Sequence, residues 1–142
     1  MSLYLDSAYI AKCYVNEPDA LRVRDLARDQ ELHSSAWCLA EMACIFHRHM
    51  REGFLSREEA RRAQGLFRRH MEESRWVLFP VSKGLLDKVA AETERLAADV
   101  FLRAGDAVHL VSAREAGFSE IWSNDRRLLS AARCFSLRGR TI

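Results

Sequence analysis

Four acidic residues occupy positions that folding alone does not require to be acidic: Asp6, Glu41, Asp106 and Asp125. Asp6 ends a short apolar strand in MSLYLDS, and Asp125 follows a second one in EIWSNDRRLL. Asp106 opens a helix in RAGDAVHLVSA, and Glu41 interrupts an apolar helix in SSAWCLAEMACIF. Two carboxylates about 4 Å apart repel by about 4 kcal/mol at an effective dielectric of roughly 20. A fold that gathers four of them therefore needs a cation among them. Oxygen-only ligation selects hard ions such as Mg²⁺ or Mn²⁺. Such ions polarise phosphate and activate water. If the four acids converge, their chemistry is phosphodiester hydrolysis.

Three of the acids also have ordinary structural readings. Aspartate is a favoured helix N-cap, which suits Asp6. Ser123-Asn124-Asp125 has turn chemistry, and an anion is welcome in the first turn at Asp106. Glu41 is harder to place. Trp37, Ala40, Cys44 and Ile45 lie around it at helical spacing, which predicts that it projects from a buried stripe. An unpaired buried carboxylate costs several kcal/mol, so either an arginine partner or a shared metal has to compensate.

The elements that position these acids follow from pattern and punctuation. Leu3–Leu5 reads as a strand, with a helix from Ser7 to Tyr14 directly after it. Glu17-Pro18-Asp19 restarts a second helix. Leu32–Ser34 is a short strand, and Ser35 is placed to cap a helix running to Arg51, which Gly53 ends. Ser56 with Glu59 forms a capping box for a helix to Glu73. Trp76–Val81 is the clearest strand. Helices are expected from Ser82 to Ala98, from Asp106 to Ala116 with Gly117 as the stop, and from Asn124 to Arg133. Ile121-Trp122 and Phe135–Leu137 complete the strands. Strands alternating with helices predict a parallel sheet covered on both faces, with its site at the strand carboxyl ends.

With 142 residues, 49% apolar and 30% charged, the chain has the size and composition of one soluble domain. No apolar run approaches a membrane span, and no signal peptide is expected at the start. Cys13, Cys38, Cys44 and Cys134 lack metal or redox spacing, so reduced thiols in a cytosol are the expectation. Net charge is only +2, but arginine crowds residues 48–75 and the C-terminal segment. Arginine suits bidentate phosphate contacts, although the acids among the first group also allow a solvated helical surface.

YLDSAYIAKCYVNEP, SSAWCLAEMACIF, RAGDAVHLVSAREAG and IWSNDRRLLSAA together resemble a PIN domain of the VapC type, the toxin of bacterial toxin–antitoxin pairs. The resemblance runs from Leu3 to Phe135. It implies a single three-layer α/β/α sandwich over residues 1–142 with a central parallel five-stranded sheet. It further implies a Mg²⁺- or Mn²⁺-dependent endoribonuclease in the cytoplasm, an antitoxin partner and a homodimer. The family's four acids fall on Asp6, Glu41, Asp106 and Asp125, and its hydroxyl residue falls on Ser123, where threonine is more usual. Arg126 and Arg127 are expected near RNA phosphates. His109 is placed either to touch substrate or to pack in its helix, and Lys12 either to serve the site or to sit on the surface. Trp37, Trp76 and Trp122 are read as mainly core, and Trp37, Phe46 and Phe54 as part of a dimer surface. A catalytically silent PIN-fold module that binds RNA or protein is the alternative. A phosphoacceptor receiver domain is excluded because Leu5 and Ser7 flank a single acid and no lysine follows Lys88. A haloacid-dehalogenase-like phosphatase is excluded because Ala8 stands where it needs a second aspartate.

Overall fold

Alternation in the first strand assigns the two faces of the sheet. In the computed structural model, which describes all 142 residues, β1 is Ser2–Tyr4. Leu3 and Leu5 enter one core and Tyr4 enters the other. The first core takes its helical residues from α1 (Ser7–Tyr14), α2 (Ala20–Ala27), α3 (Cys38–Arg51) and α4 (Arg57–Glu72). The second takes them from α5 (Lys83–Glu94), α6 (Ala104–Glu115), α7 (Arg126–Ala131) and the 3-10 turn Ala132–Phe135. Fully burying one large aliphatic or aromatic side chain there contributes about 2 kcal/mol. A parallel sheet needs such cover on both sides, and the three-layer α/β/α arrangement expected from the sequence is present.

The sheet itself is less continuous than expected. β1, β2 (Glu31–Ser35) and β3 (Trp76–Phe79) form one parallel ladder, with Leu3 opposite Leu32 and Leu32 opposite Trp76. β4 (Glu120–Trp122) and β5 (Arg138–Arg140) form a second parallel pair. A single bridge, Leu5 to Trp122, joins the two, supported by the Asp6 N–H donating to the Trp122 carbonyl at 3.1 Å. The expected five strands are therefore a three-stranded and a two-stranded ladder that meet at one point, directly beside Asp6.

Several boundaries differ from the sequence pattern. The last strand is Arg138–Arg140, not Phe135–Leu137. Phe135 and Leu137 are buried anchors on either side of Ser136, whose φ is 60°. The strand proper lies at a sheet edge, where apolar residues are not needed. Ser35 belongs to β2, and its hydroxyl accepts from the Trp37 N–H rather than opening α3 directly. α5 stops at Glu94, and α6 starts at Ala104, two residues before Asp106. The Ser56–Glu59 capping box is present. Gly117 takes φ +85° just after α6, the left-handed stop expected of it.

Candidate metal centre

The carboxyl ends of β1 and β4 deliver two aspartates to the same place. Asp6 follows β1 and caps α1, its Oδ1 accepting from the Tyr9 N–H at 3.1 Å. Asp125 follows β4 and caps α7, its Oδ1 accepting from the Arg127 and Leu128 N–H groups at 2.9 and 3.3 Å. Each cap uses only one carboxylate oxygen. The remaining Oδ2 of Asp6 accepts from the Ser123 hydroxyl at 2.5 Å, and that of Asp125 accepts from the Arg103 guanidinium. Ser123 is fully buried, and its oxygen also accepts from the Asp125 N–H at 2.9 Å. One hydroxyl thus fixes the two acids relative to each other.

Asp106 and Glu41 come from the helices that flank this point. Asp106 lies in the first turn of α6 and caps nothing. Its Oδ2 accepts from the Arg103 Nε at 3.0 Å. Arg103 therefore clasps both Asp106 and Asp125. Glu41 does not project from a buried stripe, as the sequence suggested. The buried face of α3 is Cys38, Met42, Phe46 and His49, one step round the helix, while Trp37, Ala40 and Cys44 are exposed. Glu41 is half-buried and turned into the cleft. Its Oε1 accepts from Ser7 Oγ at 2.9 Å and from His109 Nε2 at 2.6 Å. Gly105 permits this closeness, because a β-carbon there would stand 3.0 Å from both Glu41 Oε2 and Trp37 Nε1.

His109 is 1% exposed and offers almost no surface to a substrate. It packs in α6 and positions Glu41. Its Nδ1 lies 3.1 Å from the Tyr4 hydroxyl, and its Nε2 lies 2.6 Å from Glu41 Oε1. Lys12 is also buried, against the expectation that it served RNA or the surface. Its Nζ donates to the Pro18 carbonyl at 2.7 Å and pairs with Glu17 at 3.5 Å, holding the turn before α2. Arg126 and Arg127 are exposed. Trp37 is not core but forms part of the cleft wall, at 38% exposure. Phe46 is buried and contributes nothing to an outer surface, whereas Phe54 is 72% exposed.

All four acids line one cleft of about 870 Å³, together with Ser7, Arg103 and His109. Their electrostatics are uneven. Burial pushes the Asp6 carboxyl up to about 6, against the opposing pull of His109 and of the hydrogen bonds from Ser123 and Tyr9. Repulsion from Glu41 is the smallest contribution. Burial also pushes Glu41 upward, but the His109 hydrogen bond and charge, with Ser7, more than reverse it and hold that carboxyl below its ordinary range. The donor set is all oxygen and fits a hard divalent cation. As the side chains stand, no three of the chain's acids, histidines or cysteines converge closely enough to share one ion. Arg103 draws Asp106 and Asp125 to itself, and His109 draws Glu41. The sequence reading missed Arg103 and Ser7. Their signal was position alone: an arginine three residues before Asp106 and a hydroxyl directly after Asp6.

Comparison with known proteins gives three likenesses of fold. The family description "PIN domain" matches residues 3–133. A chain from the crystal structure of VapBC2 of Rickettsia felis, bound to a DNA fragment from its promoter, superposes with a TM-score of 0.69 at 14% identity, covering 99% of this chain and 98% of that one. VapC20 of Mycobacterium tuberculosis, described as a toxin that cleaves the sarcin–ricin loop, gives 0.68 at 16% identity, covering 96% and 98%. A chain of FitAB bound to a DNA fragment gives 0.58 at 16% identity, covering 99% and 94%. No curated protein matches the chain by sequence.

Proposed function

Because the chain belongs to the PIN-domain family, we propose that it is a Mg²⁺- or Mn²⁺-dependent endoribonuclease acting in the cytoplasm as the toxin of a toxin–antitoxin pair. The observation that carries this reading is the meeting of Asp6, Glu41, Asp106 and Asp125 in one cleft at the strand carboxyl ends. Asp6, Asp106 and Asp125 would hold the principal cation, with Glu41 completing the set. When bound, the cation supplies Lewis-acid polarisation of the phosphate and activation of water.

The chain's own residues do the rest. Ser123 holds Asp6 and the Asp125 backbone in register. His109 and Ser7 keep Glu41 ionised and aimed into the cleft as an acceptor for a water proton. Arg103, once released from the aspartates, is a donor for a phosphate oxygen. By resemblance to the family, the products carry 5′-phosphate and 3′-hydroxyl ends. The antitoxin partner and a homodimer belong to the same reading. Sequencing RNA 5′ ends after brief expression tests it. New cleavage sites should follow expression of the wild type and be missing with Asp6→Asn, and identical profiles would refute the nuclease assignment.

Arg103 provides a more local test. A cation must displace its guanidinium from Asp106 and Asp125, so part of the binding free energy is spent on that exchange. The side chain is 54% exposed, so the pair is worth only about 1 kcal/mol. Calorimetric titration of Arg103→Gln with Mn²⁺ should therefore show affinity about fivefold tighter than wild type, while RNA cleavage falls. Unchanged or weaker Mn²⁺ binding would show that Arg103 does not compete for the site.

A further inference from the structure

A second recess of about 330 Å³ is lined by residues that adjoin those of the acidic cleft in sequence. Phe101, Arg126, Arg127 and Arg133 line it, together with Asp99. None of the three guanidinium groups is ion-paired, although arginines elsewhere on this surface pair with acids; Arg103 and Arg114, for instance, each hold two carboxylates. All three are exposed. Phe101 is 51% exposed, and the Arg127 guanidinium lies over its ring at 3.7 Å from the centroid.

We propose that this recess is a subsite for single-stranded RNA, with Phe101 as the platform for a base and Arg126, Arg127 and Arg133 as phosphate donors. It rests on the nuclease reading and names how that site would hold its substrate. Three arginines with a single carboxylate, Asp99, among them leave the recess net positive, and the arginines repel unless a further anion joins them. An aromatic ring among them adds a flat apolar face, and stacking of a base on it is indifferent to sequence. The Arg127–Phe101 stack holds the ring in place and leaves half of the side chain open to solvent. Connectivity ties the recess to the chemistry from two sides. Arg126 directly follows Asp125, and Phe101 precedes Arg103 by two residues. A strand of RNA lying in the recess is thereby led to the four acids. An acidic protein segment would satisfy the arginines but would give Phe101 nothing to stack on, so RNA is the better fit.

The test is fluorescence anisotropy of a labelled single-stranded oligouridylate of about 12 nucleotides, in excess chelator so that nothing is cut. Phe101→Ala should weaken binding on the order of tenfold, and Phe101→Trp should restore it. Because Phe101 is half exposed, neither change threatens folding. The double variant Arg127→Gln/Arg133→Gln should lower the slope of log affinity against log salt by about 1.4. Metal-dependent cleavage by the same variants should show a raised KM. Phe101→Ala and the arginine variant binding RNA as wild type does would overturn the subsite, as would absence of RNA binding by wild type. Loss of poly-glutamate binding in the arginine variant, with RNA binding intact, would overturn it in favour of an acidic partner. Failure of wild type to cleave RNA in metal would count against the nuclease reading alone, since the binding measurement needs no catalysis.

Discussion

Asp6→Asn should lose metal-dependent RNA cleavage by roughly a thousandfold, since it removes a ligand charge where several kcal/mol of stabilisation is at stake. The same substitution should make the metal-free protein more stable. Asp6 is buried and its carboxyl sits at about 6, above its ordinary 3.8, chiefly through desolvation. The folded state therefore holds this proton more tightly than the unfolded state. Its favourable contribution is complete below about pH 4 and disappears as pH rises through 6. At neutral pH the folded protein carries an ionised, desolvated carboxylate at a cost of about 2 kcal/mol, once weakening of the Ser123 bond is allowed for. Asparagine removes that cost, retains an oxygen for the Tyr9 cap and is nearly isosteric. In chelator at pH 7 its melting temperature should exceed that of wild type by roughly 5 °C, with the two curves converging near pH 4. Metal should then raise the melting temperature of wild type more than that of the mutant. A mutant that melts lower than wild type in chelator at pH 7 would show that the ionised Asp6 stabilises the fold and would refute the desolvation argument.

His109→Ala should act in the opposite direction. The imidazole connects a buried tyrosine hydroxyl, Tyr4, to a half-buried carboxylate, Glu41, and lies 3.3 Å from the Ser7 hydroxyl. Its removal orphans the Tyr4 hydroxyl, takes the strongest donor from Glu41 and opens a void in α6. Together these should cost about 3 kcal/mol, read as a drop in the denaturation midpoint with unchanged slope. His109→Gln keeps a donor toward Glu41 and should recover part of the loss. Equal stability of His109→Ala and wild type would show that the Tyr4–His109–Glu41 chain does not hold the site together.

Local chemistry made much of this molecule legible in its sequence. Asp6 and Asp125 stand at strand ends because the apolar runs before them stop there, and Ser56 with Glu59 announces α4 by its capping chemistry. What failed to show were features set by phase and by distant partners. α3 carries apolar side chains on more than one face, so its periodicity allowed Glu41 a buried stripe that Cys38, Met42 and Phe46 occupy instead. Lys12 reads as a surface charge until the turn at Glu17 and Pro18 folds back over it. β5 is an edge strand of two arginines and a glycine and has no apolar pattern to find. Arg103 is close to Asp106 in sequence, but its second partner, Asp125, is brought to it only by the crossover from α6 through β4.

The central claim is metal-dependent cleavage of RNA by these four acids, and the most direct measurement is end-group analysis of a labelled RNA incubated with purified protein. Wild type in Mn²⁺ should yield fragments with 5′-phosphate and 3′-hydroxyl ends, and neither wild type in excess chelator nor Asp106→Asn in Mn²⁺ should yield any. Cleavage that persists in chelator or in Asp106→Asn, or intact RNA with wild type in Mn²⁺, would contradict the account.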